Sequence, residues 1–192
     1  MTLIIHPEDS STDFLQPIYR DLKDKTVIKG GLTYEQVKEE IKKHDEVIIT
    51  GHGIHKGLFS MGMFSNLKEP NFIIDNSLAD LLKQKQKIVT IWCYAKNYIE
   101  ANDINNSFHS GMFCSEVAEA IFCGLKRLVT QKMVDESNEC FAEELGKLIH
   151  LSPKEIFESM QVGKYSKLAK HNPVALYNFE RLHYDFKQNI KA

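Results

Sequence analysis

Two stretches of the sequence, Glu46-Val-Ile-Ile-Thr-Gly-His52-Gly53 and Lys87-Ile-Val-Thr-Ile-Trp-Cys93, are built in the same way. Each is a short apolar run, rich in β-branched residues, that leads into a side chain capable of acid–base or nucleophilic chemistry. Such runs predict buried strands of a parallel sheet. Because reactive groups collect at the carboxyl ends of parallel strands, we expect His52 and Cys93 to emerge side by side if the two strands are neighbours.

The rest of the chain alternates short apolar runs with stretches of helical period, which indicates an α/β fold with a mostly parallel sheet. Further strands are predicted at 3–5, 26–28 and 127–130, and a small hairpin at 57–64 around Gly62. Helices are predicted at 14–22, from Thr33 with Gln36 as a capping box, from Asn76 or Ser77 to Leu82, at 115–122, from Asp135, from Ser152-Pro153 with Glu155, and from Asn172-Pro173 with the apolar stripe Ala175, Phe179, Leu182, Phe186 and Ile190.

Composition narrows the class of protein. The chain has 192 residues and a net charge of −2, which predicts a single domain and gives no electrostatic reason to bind nucleic acid or an anionic membrane. No signal peptide and no membrane-spanning run is expected. The four cysteines form no CxxC pair, so free thiols in a reducing cytoplasm are the simplest interpretation.

A cysteine and a histidine brought together suggest nucleophilic catalysis. A free thiol, with a pKa of about 8.5, is only slightly ionised at neutral pH, and an adjacent imidazole can take its proton. Gly51 permits a sharp exit from the strand, and Gly53 leaves backbone N–H groups bare. The N–H groups of Gly53 and Cys93 are therefore predicted to form an oxyanion hole. Taken singly, each residue is more often structural: a buried thiol or a tight turn.

The two stretches resemble the clan CD cysteine peptidases: caspases, metacaspases, gingipains, legumain, separase and the bacterial CHAT domains. In that group one apolar strand ends in His-Gly and a later strand ends in the catalytic Cys. The separation here, 93 − 52 = 41 positions, is similar. Downstream, the order of Ser110-Gly111-Met112, a helix ending near Gly124, a strand and Val134-Asp135-Glu136 resembles CHAT domains. The resemblance covers about residues 1–150.

The resemblance implies a caspase-like three-layer α/β/α sandwich, with residues 1–150 as the core and residues 151–192 as helices packed on it. It implies a cysteine endopeptidase that acts on a protein or peptide, with a His52–Cys93 dyad and without a cofactor or metal. Tyr94 departs from the small residue that many relatives have after the cysteine; it either narrows the oxyanion site or points away from it. Besides the protein or peptide substrate, a regulatory protein is considered as a partner.

The substrate pocket is less defined by the sequence. Relatives that cut after Arg or Lys carry a carboxylate there, for which Glu116 and Asp75 are the candidates beside Ser110 and Gly111, although acids in such positions are more often solvated or capping residues. His55, three residues after His52, lacks further metal ligands at recognisable spacing.

Two other functions remain open at this point. The chain is either a catalytically degenerate caspase-like scaffold that binds a partner, or an amidase or transferase for a small molecule. A separation of His52 and Cys93 well beyond hydrogen-bond reach, with no open cleft, would favour the scaffold, and a closed, small pocket rather than a groove beside a sheet edge would favour the small molecule.

Overall fold

The computed structural model describes residues 1–125 and 129–185, which form a main sheet of six strands, a small sheet of three strands, and helices. The strands are β1 (Thr2–Ile5), β2 (Lys25–Ile28), β3 (Glu46–Thr50), β4 (Gly53–Ile54), β5 (Gly57–Phe59), β6 (Phe72–Ile74), β7 (Lys87–Ile91), β8 (Ser107–Ser110) and β9 (Leu182–Asp185). The α-helices are α1 (Pro17–Arg20), α2 (Tyr34–Lys43), α3 (Ala79–Leu82), α4 (Ala95–Ala101), α5 (Val117–Phe122), α6 (Gln131–Leu148), α7 (Pro153–Val162), α8 (Lys164–Ala169) and α9 (Pro173–Phe179). Short 3-10 helices cover Ser10–Leu15 and Asn76–Leu78.

The main sheet has the strand order β2-β1-β3-β7-β8-β9. All neighbours are parallel except the edge pair of β8 and β9, which confirms the predicted α/β class and mostly parallel sheet. β3 and β7 are direct neighbours, with Glu46 opposite Lys87 and Thr50 opposite Ile91. The small antiparallel sheet, in the order β4-β5-β6, directly follows His52.

Both faces of the main sheet are covered, because successive side chains along a strand point to opposite faces. In β3, Val47 and Ile49 pack under α2, α3 and α4, whereas Ile48 packs under α1 and the helices α6 to α9. A helical layer on each face is consistent with a three-layer α/β/α arrangement. No helix in residues 1–125 and 129–185 is long and apolar enough to cross a membrane.

The helix starts follow the local capping signals. The boxes at Thr33 with Gln36 and at Ser152 with Glu155 are confirmed, as is the Asn172 cap. The predicted start at Asp135 is wrong: Thr130 caps α6, and its hydroxyl accepts the N–H of Met133 at 3.3 Å. An earlier cap is available here because good helix formers follow Thr130 directly.

Two predictions between β3 and β7 are wrong. β5 ends at Phe59 and pairs with β4 and with the distant β6, so no hairpin forms around Gly62. The cap before α3 is Asp75 rather than Asn76 or Ser77, because the Asp75 carboxylate accepts the N–H of Ser77 at 2.8 Å.

The C-terminal part differs from the single predicted helix. α9 ends at Phe179, and Leu182 lies in β9, which pairs with the edge of β8. A strand satisfies the backbone groups along that edge, which a continued helix could not do. Phe186 and Ile190 lie outside the described residues, as do residues 127 and 128 of the predicted strand 127–130, whereas residues 129 and 130 form no strand. α4 and β8 are elements that the sequence did not predict.

α6 and α9 hold the segment after β8 in place. The buried carboxamide of Asn178 accepts the N–H of Cys114 at 2.7 Å and donates to its carbonyl at 2.8 Å. On α6, Asn138 donates to the carbonyl of Ser115 at 2.9 Å. The position of residues 113–115 therefore depends on the C-terminal helices.

A buried hydrogen-bonded chain holds the 3-10 helix Ser10–Leu15, which occupies a region predicted as a loop and a single helix, against β1. The His6 ring lies 2.8 Å from Tyr19 Oη and 3.0 Å from Thr12 Oγ1. Thr12 donates to the carbonyl of Asp9 at 3.0 Å, so its oxygen accepts the Nε2–H of His6. Burial, followed by the charge of Lys29, lowers the pKa of His6 to about 4, which keeps the ring neutral.

Replacing Asn178 by Ala should lower the free energy of unfolding by about 3 kcal/mol, because two buried backbone groups of Cys114 lose their partner. Urea denaturation measures the change. The matched control is Asn105→Ala, which removes an exposed amide and should cost less than about 0.5 kcal/mol. Equal losses in the two variants would contradict the anchoring role of Asn178.

His6 should make the fold acid-sensitive. The pKa of His6 is about 4 in the folded chain and 6.5 in the unfolded chain, where the ring is not buried. The unfolded chain therefore binds the proton first as pH falls. The contribution is complete above pH 6.5 and is lost towards pH 4, with a total of about 3 kcal/mol. Unfolding free energies of wild type and His6→Gln across this range measure it. The variant should be less stable at pH 7 and show a flatter pH dependence, and identical slopes would disprove the assignment.

Candidate active site

A small pocket, with a cavity volume of about 20 Å³, opens at the carboxyl ends of β3 and β7. The loop after β1, the two strand ends and the segment after β8 line it, through Thr12, Phe14, Leu15, Gly51, His52, Ile91, Trp92, Cys93, Phe113 and Ser115. His52 and Cys93 each lie two positions beyond Thr50 and Ile91, which are opposite each other in the sheet. The structure thus brings the two predicted catalytic residues to one pocket.

His52 follows a sharp turn out of β3. Gly51 has a φ of +139°, which L side chains rarely adopt, and its N–H donates to the carbonyl of Ile91 at 3.1 Å. The predicted need for glycine at this exit is confirmed. The half-buried His52 ring places its Nε2 atom 2.7 Å from Ser11 Oγ.

Ser11 connects His52 to a carboxylate. Ser11 Oγ lies 2.6 Å from Asp9 Oδ1, which also accepts the backbone N–H of Ser11 at 2.8 Å. These two bonds from Ser11 hold the pKa of Asp9 below its usual range, so the carboxylate is ionised at neutral pH. Asp9 is also the cap of the 3-10 helix.

Cys93 is a protonated thiol in this structure. Its Sγ donates to the carbonyl of Phe113 at 3.3 Å. Burial raises the pKa of the thiol to about 11, and the nearby Glu119 acts in the same direction. Within the part of the chain that the structure describes, no hydrogen bond joins this thiol to His52.

Gly53 packs against the indole of Trp92 and does not belong to the pocket lining. A Cβ at this position would lie 2.4 Å from Trp92 Cδ1 and 2.6 Å from the carbonyl of Gly57. The indole N–H of Trp92 in turn donates to the carbonyl of Ile54 at 3.2 Å. The glycine at 53 is thus required by packing of β4 on Trp92, a reason that differs from the substrate approach inferred from the sequence.

Tyr94, Ser110 and Gly111 surround the turn after Cys93 and lie outside the lining of the pocket. Tyr94 adopts a left-handed conformation with φ of +66°, and its ring is exposed at the start of α4. Its N–H donates to the carbonyl of Gly111 at 3.0 Å, and Ser110 Oγ donates to the carbonyl of Trp92 at 2.9 Å. These hydrogen bonds connect the end of β8 to the end of β7. Tyr94, Ser110 and Gly111 therefore support the turn that follows Cys93.

The two acids proposed for a basic-substrate pocket lie elsewhere. Asp75 is buried under α2, where its carboxylate accepts the hydroxyl of Tyr34 at 3.0 Å and caps the turn before α3. Glu116 is exposed at the start of α5, where it belongs to a capping box. The proposal of either carboxylate as part of this pocket is therefore corrected: both are helix caps.

The remaining histidine and cysteine candidates are also placed. His55 is exposed in the turn between β4 and β5. Cys114 is buried, and Cys123 and Cys140 are partly buried free thiols. In residues 1–125 and 129–185 no group of three His, Cys, Asp or Glu side chains could hold a metal ion.

Sequence reasoning missed the residues that surround the dyad. Ser11, Thr12 and Phe14 come from the loop after β1, and Phe113 and Ser115 from the segment after β8. The serine and threonine residues after Asp9 could have been identified from the sequence, because they form a polar run that follows β1, the strand next to β3. Phe113 carries no such signal, because its place in the pocket depends on the distant contact of Asn178 with Cys114.

Searches for similarity found no matching family model, no matching curated protein and no matching solved structure.

Proposed function

We propose that the protein is a cysteine hydrolase that cleaves amide bonds of peptides or proteins, with Cys93 as the nucleophile and His52 as the base on a caspase-like fold. One observation carries the proposal: both side chains line one pocket, at equivalent positions beyond adjacent parallel strands. The resemblance to clan CD peptidases implies this placement. The mostly parallel sheet with helices on both faces supports it.

The proposed reaction starts from the protonated thiol. As the Cys93 sulfur bonds to the substrate carbonyl carbon, its proton passes to the His52 ring and the carbonyl π electrons move to oxygen. Of the two predicted oxyanion donors, Gly53 lies outside the pocket lining, so the N–H of Cys93 is the donor proposed here, and one such donor typically stabilises a transition state by about 3 kcal/mol. His52 then protonates the leaving amine, and water hydrolyses the thioester with His52 as base, which returns the proton to sulfur.

The resting contact of Cys93 has a consequence for this reaction. Because burial raises the pKa of the thiol to about 11, a preformed thiolate is not the resting species, and proton transfer has to accompany attack. The thiol must also leave the carbonyl of Phe113. We infer that substrate entry displaces this hydrogen bond.

The lining favours an uncharged substrate group. The Phe14 and Phe113 rings stack with centroids 6.2 Å apart, and Leu15 and Ile91 complete an apolar wall. Among the described residues, no Asp or Glu lines the pocket. We therefore propose that a small apolar residue, rather than Arg or Lys, lies beside the scissile bond.

Two alternatives each have one supporting observation. The cavity volume of about 20 Å³ lies far below the range of about 300–1,000 Å³ usual for small-molecule sites, so the small-molecule substrate that this pocket favours is a small amide. The hydrogen bond of Cys93 to Phe113, rather than to His52, favours a catalytically silent scaffold that binds a partner protein. For each of these functions the free thiols suggest a reducing compartment such as the cytoplasm.

A fluorogenic amide library that varies the residue before the scissile bond tests the proposal. The wild type should hydrolyse substrates with small apolar residues best. Cys93→Ala should abolish turnover, and His52→Ala should lower kcat/KM by about 10²- to 10⁴-fold, the usual contribution of a general base.

The matched control is Cys140→Ala, which removes a partly buried thiol outside the pocket and should leave kcat/KM unchanged. An acyloxymethyl ketone, followed by peptide mapping, should label Cys93 and not Cys140. Turnover limited to small amides would replace the peptidase by an amidase. Absent turnover together with unlabelled Cys93 would leave the scaffold as the function.

A further inference from the structure

The loop after β1 presents a serine and a carboxylate to the Nε2 edge of the His52 ring. Ser11 Oγ lies within hydrogen-bond distance of two groups: Asp9 Oδ1 at 2.6 Å and His52 Nε2 at 2.7 Å. A serine hydroxyl has one proton to donate, and an ionised carboxylate only accepts. The Ser11 proton therefore points to Asp9, and the Nε2 atom of His52 must carry a proton that it donates to Ser11 Oγ.

We propose that Ser11 and Asp9 are positioning residues for His52, forming a chain from imidazole to hydroxyl to carboxylate that leaves Nδ1 as the proton acceptor. The inference rests on the proposed function for its catalytic meaning, while the chain itself is a property of the folded protein. Of the two ring nitrogens, Nδ1 then has the free lone pair that can take the Cys93 proton. Which nitrogen acts as base is set by the bond that the other one makes.

The chain is held rigidly enough to select an orientation of the ring. Asp9 is fixed because Oδ1 also accepts the Ser11 N–H at 2.8 Å, and its carbonyl accepts the Thr12 hydroxyl at 3.0 Å. Thr12 is in turn bonded to the buried His6 ring at 3.0 Å. The serine thus reaches His52 from a segment anchored to β1, the strand next to β3.

The carboxylate also has an electrostatic effect. When His52 takes the thiol proton, the ring becomes a cation, which the nearby negative charge of Asp9 stabilises. Among the described residues, the titratable groups near this ring are Asp9 and His6 on the loop after β1, and Cys93, which lines the same pocket. Burial keeps the pKa of His6 at about 4, and Cys93 stays protonated near neutral pH, so Asp9 is the charged neighbour in the working range.

Ring ¹⁵N and ¹H NMR of the folded protein tests the hydrogen bonds from His52 to Ser11 and Asp9 without any substrate. The His52 signals, identified by their loss in His52→Asn, should show a proton on Nε2 that exchanges slowly with water, and none on Nδ1. Ser11→Ala should make this proton exchange rapidly, whereas Ser11→Thr should keep it slow because the hydroxyl remains. A proton on Nδ1 in the wild type, or no change in Ser11→Ala, would overturn the assignment.

Kinetics then tests the catalytic meaning. Ser11→Ala should lower kcat/KM by about 10- to 100-fold, the usual loss when a partner that orients a functional histidine is removed, and Ser11→Thr should restore most of it. Ser10→Ala, an exposed serine in the same 3-10 helix, is the matched control and should have no effect.

Asp9→Asn separates charge from structure, because Asn is an equally good helix cap. Loss of the carboxylate charge should lower kcat while KM stays unchanged, because the carboxylate stabilises the imidazolium that forms only in the transition state. A purely structural role would leave kcat unchanged. A wild type without turnover but with the slow Nε2 proton would refute the hydrolase and retain the positioning chain, so the two failures are distinguishable.

Discussion

β3 and β7 lie side by side as parallel strands, with Thr50 opposite Ile91, and this pairing makes a pocket possible from residues 41 positions apart (93 − 52). The register is also held at the amino ends of the strands. There the buried Lys87 donates to the carbonyl of Ile149 and lies 3.7 Å from the carboxylate of Glu46. A slip of one residue would turn every side chain of one strand to the opposite face. The burial of both apolar strands and this buried cation therefore act together on the position of the dyad.

The pocket is assembled from segments far apart in the chain, each with its own support. On one side, the His6 ring fixes the 3-10 helix that carries Ser11, through its bond with Thr12. On the other side, Asn178 holds the backbone of Cys114, and with it the neighbouring carbonyl of Phe113. The C-terminal helices are consequently part of the construction of the pocket. Both supports are buried polar contacts, which have demanding geometry and are expensive to leave unpaired.

The turn after β7 combines strain with restraint. Tyr94 has a left-handed backbone, which costs a non-glycine residue about 1–2 kcal/mol, and its N–H bond to the carbonyl of Gly111 and the start of α4 hold it there. This turn places Cys93 at the pocket while the Tyr94 ring remains exposed outside it. Tyr94 therefore leaves the pocket unobstructed. The carbonyl of Phe113, rather than a bulky neighbour, is the group that occupies the thiol in the resting state.

Local sequence determined the elements whose signals are local: the strands that lead to His52 and Cys93, the sharp exit at Gly51, and the caps at Thr33, Ser152 and Asn172. These follow from apolar patterning and from side chains that bond their own backbone. Tertiary structure alone decided the partner of β5 and the formation of an edge strand at Leu182. Asp75 and Glu116, which the sequence suggested as pocket residues, are helix caps in the structure for the same reason. Tertiary structure also decided the approach of Ser11 to His52 and of Phe113 to Cys93, because these contacts join residues that no periodicity connects. Pairing and burial across the whole chain select them.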